Sequence, residues 1–109
     1  YFQAIGQYPT ADASGYIVCD TTSIAWGATF ACNSKTYMSV LPKDPILNTD
    51  TNRRYYYQSP TITTYVLSSA IENTNDPDYC YSTAICALKH RCTPSGVGAT
   101  GRNYCVLQP

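Results

Sequence analysis

The chain has 109 residues, enough for one hydrophobic core but not for two. Seven basic and seven acidic side chains give zero net charge with no long run of either sign, which removes the electrostatic case for a strong nucleic-acid or membrane-surface partner. No apolar stretch reaches the roughly 18 residues that a bilayer span needs, and the core must be built from few aliphatic residues, eleven tyrosines and six cysteines.

In chain order, residues 1–9 open with helix-compatible side chains and stop at Gly6 and Pro9, placed as such residues are just past a helix C-terminus. They predict the end of a helix whose body lies upstream, so that Tyr1 is not expected to be the first residue made. Residues 10–45 mix Thr, Ser, Asp and Ala with short apolar patches and hold no sustained helical or strand period, which predicts a long connection. Arg54-Tyr55-Tyr56-Tyr57-Gln58 has strand composition and is broken by Ser59-Pro60-Thr61. From Ile62 to Glu72 the residues alternate, with Tyr65, Leu67 and Ile71 on one face and Thr64, Val66, Ser68 and Ala70 on the other. The two runs predict an antiparallel hairpin over 53–72 with one buried face. Asn73 to Asp78 is a turn cluster. Ser82 to Arg91 predicts a short helix with Ser82 as N-cap and Lys89, His90 and Arg91 near its negative end. Pro94 to Gly101 reads as a flexible loop and Asn103 to Leu107 as a closing strand, so that 79–109 forms a cysteine-rich loop and final strand.

The six cysteines, Cys19, Cys32, Cys80, Cys86, Cys92 and Cys105, point to three disulfides and hence to an oxidising compartment. Each bond is expected to add about 2–4 kcal/mol, which matters where aliphatic residues are few. Cys19 and Cys32, flanking Trp26, pair most naturally. If 82–91 is helical, Cys86 and Cys92 stand about 9 Å apart along its axis, beyond disulfide reach. Spacing then favours Cys80–Cys86 and Cys92–Cys105, with the other two arrangements of those four open. Zinc on Cys86, His90 and Cys92 is the rival reading, but the short two-residue knuckle of zinc modules is missing.

Three stretches carry a resemblance to type IV pilins and type II secretion pseudopilins. Tyr1 to Pro9, ending in Gly6-Gln7-Tyr8-Pro9, resembles the end of the long N-terminal helix of those proteins. Leu41-Pro42-Lys43-Asp44-Pro45-Ile46-Leu47-Asn48 resembles the segment that precedes their sheet, and Tyr55-Tyr56-Tyr57-Gln58-Ser59 through Tyr65 to Asn73 resembles their hairpin. The resemblance covers roughly residues 1–9 and 40–78. It implies an α+β fold, pilin-like, in which the end of an N-terminal helix (1–9) packs on a small antiparallel sheet, with a disulfide-pinned αβ loop (10–45) and one domain over 1–109. It further implies an extracellular, structural subunit of a type IV pilus-like filament, membrane-anchored before assembly. Such a subunit polymerises with copies of itself through an upstream hydrophobic helix and is handled by pilus or secretion assembly machinery. A pseudopilin of a secretion system and a freely secreted, disulfide-stapled, adhesin-like binding module are the alternatives. The C-terminal third, with its four cysteines, departs from the calcium-binding end of the major pseudopilins.

Catalysis has little to stand on, and no cofactor is expected. His90 is the only histidine, and six paired cysteines leave no thiol nucleophile. Glu72 is the only glutamate, which argues against a catalytic carboxylate pair. Asp76 and Asp78, with Asn73 and Asn75, are calcium candidates; the plainer reading is a turn that bonds its own backbone. Lys89, His90, Arg91 and Arg102 are four scattered basic groups on a neutral chain, a weak case for DNA.

Overall fold

The computed structural model describes residues 7–46, 49–61, 63–98 and 101–108. Within them β-structure dominates. Strands β1 (Thr10–Ala11), β2 (Ile17–Cys19) and β3 (Thr22–Ile24) form one antiparallel sheet in that order, and β4 (Phe30–Cys32) pairs with β5 (Lys35–Met38) in a separate hairpin. A third sheet joins β6 (Tyr56–Thr61), β7 (Thr64–Ser69) and β8 (Tyr104–Gln108), all antiparallel. Helix α1 (Thr83–His90) lies between β7 and β8 in sequence and is the only helix among the described residues.

This corrects the expected fold class. The helix-on-sheet architecture is absent from the described residues: Gln7 to Pro9 are not helical, and Thr10 enters β1 directly after a proline that has no N–H to give. Residues 1–6, where the rest of that helix end was expected, lie outside the described residues. The segment 10–45 is likewise not an irregular connection but five short strands. Each spans only two to four residues, too few for alternation to register in sequence. Their turns depend on backbone that composition does not display. Asn33 and Ser34 both take positive φ (52° and 65°), the pair of left-handed residues that a two-residue hairpin loop needs where Cys32 registers with Lys35.

A hairpin lies within 53–72 as β6 and β7, but Ser59, Pro60 and Thr61, expected to break the first strand, belong to β6; the helix is present. Tyr57 faces Leu67 and Gln58 faces Val66, and β8 completes the sheet with Val106 opposite Leu67 and Cys105 opposite Ser68. The sheet is covered on both faces rather than one. On the Tyr57 side, a cluster of Ile17, Ile24, Trp26, Phe30, Cys32, Leu41 and Tyr57 takes in the half-buried Tyr55, Tyr65 and Leu67. On the other side, Val66 packs with Cys92 and Cys105. Ser82 caps α1 as its sequence suggests, its hydroxyl accepting from the Ile85 N–H (3.3 Å), and Arg91 ends the helix at φ 60° with its N–H on the Ala87 carbonyl.

Edge-on ring contacts knit the first cluster together: Tyr8 on Tyr65 (5.0 Å between centroids) and Trp26 on Tyr55 (5.6 Å). The β1–β3 sheet meets β6 through a close approach at Gly15, whose carbonyl accepts the Tyr57 N–H (2.9 Å) while the Tyr56 hydroxyl donates to the Ala13 carbonyl (2.6 Å). Gly15 sits at φ 83°, and a Cβ there would collide with the Tyr56 ring, so only glycine fits.

Candidate functional site

The cysteines bond as Cys19–Cys32, Cys80–Cys86 and Cys92–Cys105, with Cα separations of 5.6, 5.2 and 6.3 Å. Each closes a local loop. The first ties the end of β2 to the end of β4, the second ties the approach to α1 into the helix, and the third ties the helix exit to β8. Cys80 and Cys86 are fully buried, whereas Cys19 is half-exposed.

The described parts of the three stretches that carry the resemblance, Tyr8-Pro9, Leu41 to Ile46 and the hairpin, meet in space. The Tyr57 hydroxyl donates to the Pro9 carbonyl (2.8 Å) in the core, and Tyr8 lies against Tyr65, so the Tyr8-Pro9 stretch lands on the hairpin. Leu41 is locked by two main-chain bonds, its N–H to the Ala28 carbonyl (2.7 Å) and its carbonyl from the Gly27 N–H (3.0 Å), and it belongs to the same cluster as Tyr57. Asp44 is buried and accepts the Ile46 N–H (2.9 Å). The phenol of Tyr55 is pushed above its ordinary pKa by burial first, and then by the charges of Asp44 and Glu72.

Arg102 and Asn103, which composition assigned to a basic group and a strand end, are interior residues. Arg102 is only 3 % exposed. Its guanidinium donates to the carbonyls of Arg54 (2.6 Å), Thr51 (3.1 Å) and Ser95 (3.3 Å) and lies 4.6 Å over the Tyr56 ring. Arg102 is therefore withdrawn from any basic surface shared with Lys89, His90 and Arg91. Asn103 is fully buried; its side chain holds Ile71 through both its N–H (2.6 Å) and its carbonyl (3.1 Å), and its main chain bonds Ser69 and Cys80. A polar residue in a Gly-rich stretch gives no sequence signal for either role.

The Asn73–Asp78 turn bonds itself: Asn73 Oδ1 accepts the Asn75 N–H (3.0 Å) and Asp76 Oδ1 accepts the Asp78 N–H (2.9 Å). Lys89 donates to the Pro77 and Tyr79 carbonyls and His90 Nε2 to the Asp78 carbonyl (2.8 Å), so the end of α1 clamps the turn that holds both calcium candidates. His90 also meets Tyr104 edge-on. Among the described residues no three His, Cys, Asp or Glu side chains gather as a metal site would require.

A concave surface lies toward the other end of the chain. A cleft of about 430 Å³ opens between the tips of the β2–β3 and β4–β5 hairpins, beside the Cys19–Cys32 disulfide. Asp20, Thr21, Thr22, Asn33 and Ser34 line it with polar side chains, over Ile24 and Ala31. No protein-family model, curated protein or solved structure matches this chain.

Proposed function

We propose that the chain is a structural subunit of an extracellular filament of the type IV pilus kind, acting through contacts with copies of itself, and not an enzyme. The observation that carries this reading is the meeting of the three resembling stretches on one aromatic core, anchored by the Tyr57–Pro9 hydrogen bond. Motif order alone can arise by chance; stretches that also meet as one unit are better explained by a shared design. The anchor fixes where the chain enters the sheet, as a domain carried on a filament core requires. Three disulfides support an extracellular location, because such bonds persist in oxidising compartments. In this reading polymerisation runs through an apolar helix upstream of the 109 residues, with pilus or secretion machinery as the assembly partner.

The test is immunogold electron microscopy of cells producing the full-length gene product, with antibodies raised against residues 7–108. Gold along surface filaments that vanish on gene deletion is the expected result. Antigen found only as free monomer in the medium would favour the second reading, a secreted binding module, which the polar cleft beside Cys19–Cys32 supports.

A further inference from the structure

We infer that the cleft between the two hairpin tips is a binding site for a neutral saccharide unit. Asp20, Thr21, Thr22, Asn33 and Ser34 are all exposed, and their side chains have no hydrogen-bond or ionic partner among the described residues. Five polar residues lining one concavity, with side chains that have no internal partners, leave donors and acceptors there for something from solution. The cleft is also built to hold its shape. The Cys19–Cys32 bond clamps the two tips, and Asp20, Asn33 and Ser34 are fixed in left-handed backbone (φ 55°, 52° and 65°). A ligand therefore meets a site already ordered, which spares it much of the entropic cost of binding.

The lining selects the ligand class. It contains no Lys, Arg or His, so nothing compensates the charge of a phosphate or carboxylate ligand. It contains a single carboxylate, Asp20, which gives a divalent cation one formal charge where tight oxygen sites use several. A wholly apolar molecule would strip water from five polar groups without replacing their bonds. A sugar fits on both counts. Its adjacent hydroxyls can donate together to the Asp20 carboxylate, and the Thr, Ser and Asn groups both donate and accept. Its C–H face can lie on Ile24, Ala31 and the disulfide. The volume lies within the roughly 300–1,000 Å³ of small-ligand clefts.

Saccharide binding and filament assembly are independent: either can hold on a chain where the other fails. The test is two-dimensional ¹⁵N NMR of the oxidised chain titrated with D-glucose, D-galactose, D-mannose and N-acetyl-D-glucosamine. The expected result is millimolar binding of at least one sugar, with shifts confined to residues 19–24 and 31–34. Asp20→Asn, which keeps a residue tolerant of positive φ, should weaken that binding by about tenfold, the loss of one charge-assisted pair of bonds. Thr22→Ala serves as a second variant, and an unchanged melting temperature with three intact disulfides confirms that each variant folds. No shift with any sugar, shifts away from the hairpin tips, or equal affinity in folded Asp20→Asn and Thr22→Ala variants would each overturn the assignment. So would a response to calcium chloride or sodium phosphate alone.

Discussion

Replacing Arg102 with methionine removes the guanidinium while keeping a side chain of comparable length, and the structure sets the cost. Three main-chain carbonyls from two separate segments, Thr51 and Arg54 in one turn and Ser95 in another loop, lose a cationic donor in a site that is 3 % exposed. Hydrogen bonds to charged groups contribute about 1.5–3 kcal/mol each, part of which the desolvation of the cation cancels, and newly unsatisfied carbonyls add their own penalty. A net loss of about 3–5 kcal/mol follows. Against a total stability of about 5–15 kcal/mol this is large, and at about 4–8 °C per kcal/mol the melting temperature should fall by roughly 12–40 °C. Burial, and then the neighbouring Arg54, lower the guanidinium's pKa, while Tyr56 and Asp50 oppose them, and an arginine stays charged throughout the usual pH range. Arg102→Lys therefore separates charge from geometry: it keeps the cation but cannot fork to three carbonyls, and should fall between wild type and methionine. The assay is urea and thermal unfolding of the oxidised proteins. A methionine variant within about 1 kcal/mol of wild type, or a lysine variant equal to wild type, would refute the view that the forked bonds hold these loops.

Tyr57→Phe should cost about 1–2 kcal/mol in urea unfolding, because the buried Pro9 carbonyl loses its hydroxyl partner at 2.8 Å. Gly15→Ala should cost more than about 2 kcal/mol, since positive φ and a clash with the Tyr56 ring combine; near-neutral behaviour would mean the close approach relaxes easily. For Asp12, partial burial acts to raise the pKa, but hydrogen bonds from the Ser23 hydroxyl and from the Tyr16, Ser14 and Gly15 N–H groups outweigh it and hold the carboxyl below its ordinary value. Its contribution is thus complete above the unfolded carboxylate pKa and is lost as pH falls through the depressed native one. The stability gap between wild type and Asp12→Asn should accordingly narrow on going from pH 7 to about pH 2, as followed by urea midpoints. In limited reduction followed by alkylation and mass spectrometry, Cys19 and Cys32 should be labelled before Cys80 and Cys86, since Cys19 borders an open cleft and the other pair is fully buried.

The elements legible in the sequence are those whose signal is local and long enough to repeat. Alternation over 62–72 marks β7, the three tyrosines mark β6, and Ser82 with the basic residues at 89–91 marks α1 at both ends. The strands β1 to β5 escape because none exceeds four residues, and what shapes them is tertiary: a disulfide, a cluster around Trp26 and left-handed turns at Asp20, Asn33 and Ser34. The helix expected to end near Pro9 rested on Gly6 and Pro9 as stop signals, yet a proline ahead of an extended segment serves equally to start a strand, and Thr10 pairs with Val18. Arg102 and Asn103 were hidden because a buried cation and a buried amide are recognised by the carbonyls around them, which come from residues up to 51 positions away. The cleft was unreadable for a similar reason, since Asp20–Thr22 and Asn33–Ser34 are separated in sequence and come together only in the fold, beside the Cys19–Cys32 bond.

Each sulfur bridge closes a loop within its own part of the chain, and none joins the β1–β3 sheet or the β4–β5 hairpin to the β6–β8 sheet. Under tension applied at the two ends, the bridges would withhold roughly 110 Å of contour at about 3.4 Å per residue. They would leave the seam at Gly15, Tyr56 and Tyr57 to bear the load through non-covalent contacts alone. A pulled molecule should therefore part first along that seam into two sulfur-locked halves, a mechanical fuse that yields reversibly while the knots on either side stay tied.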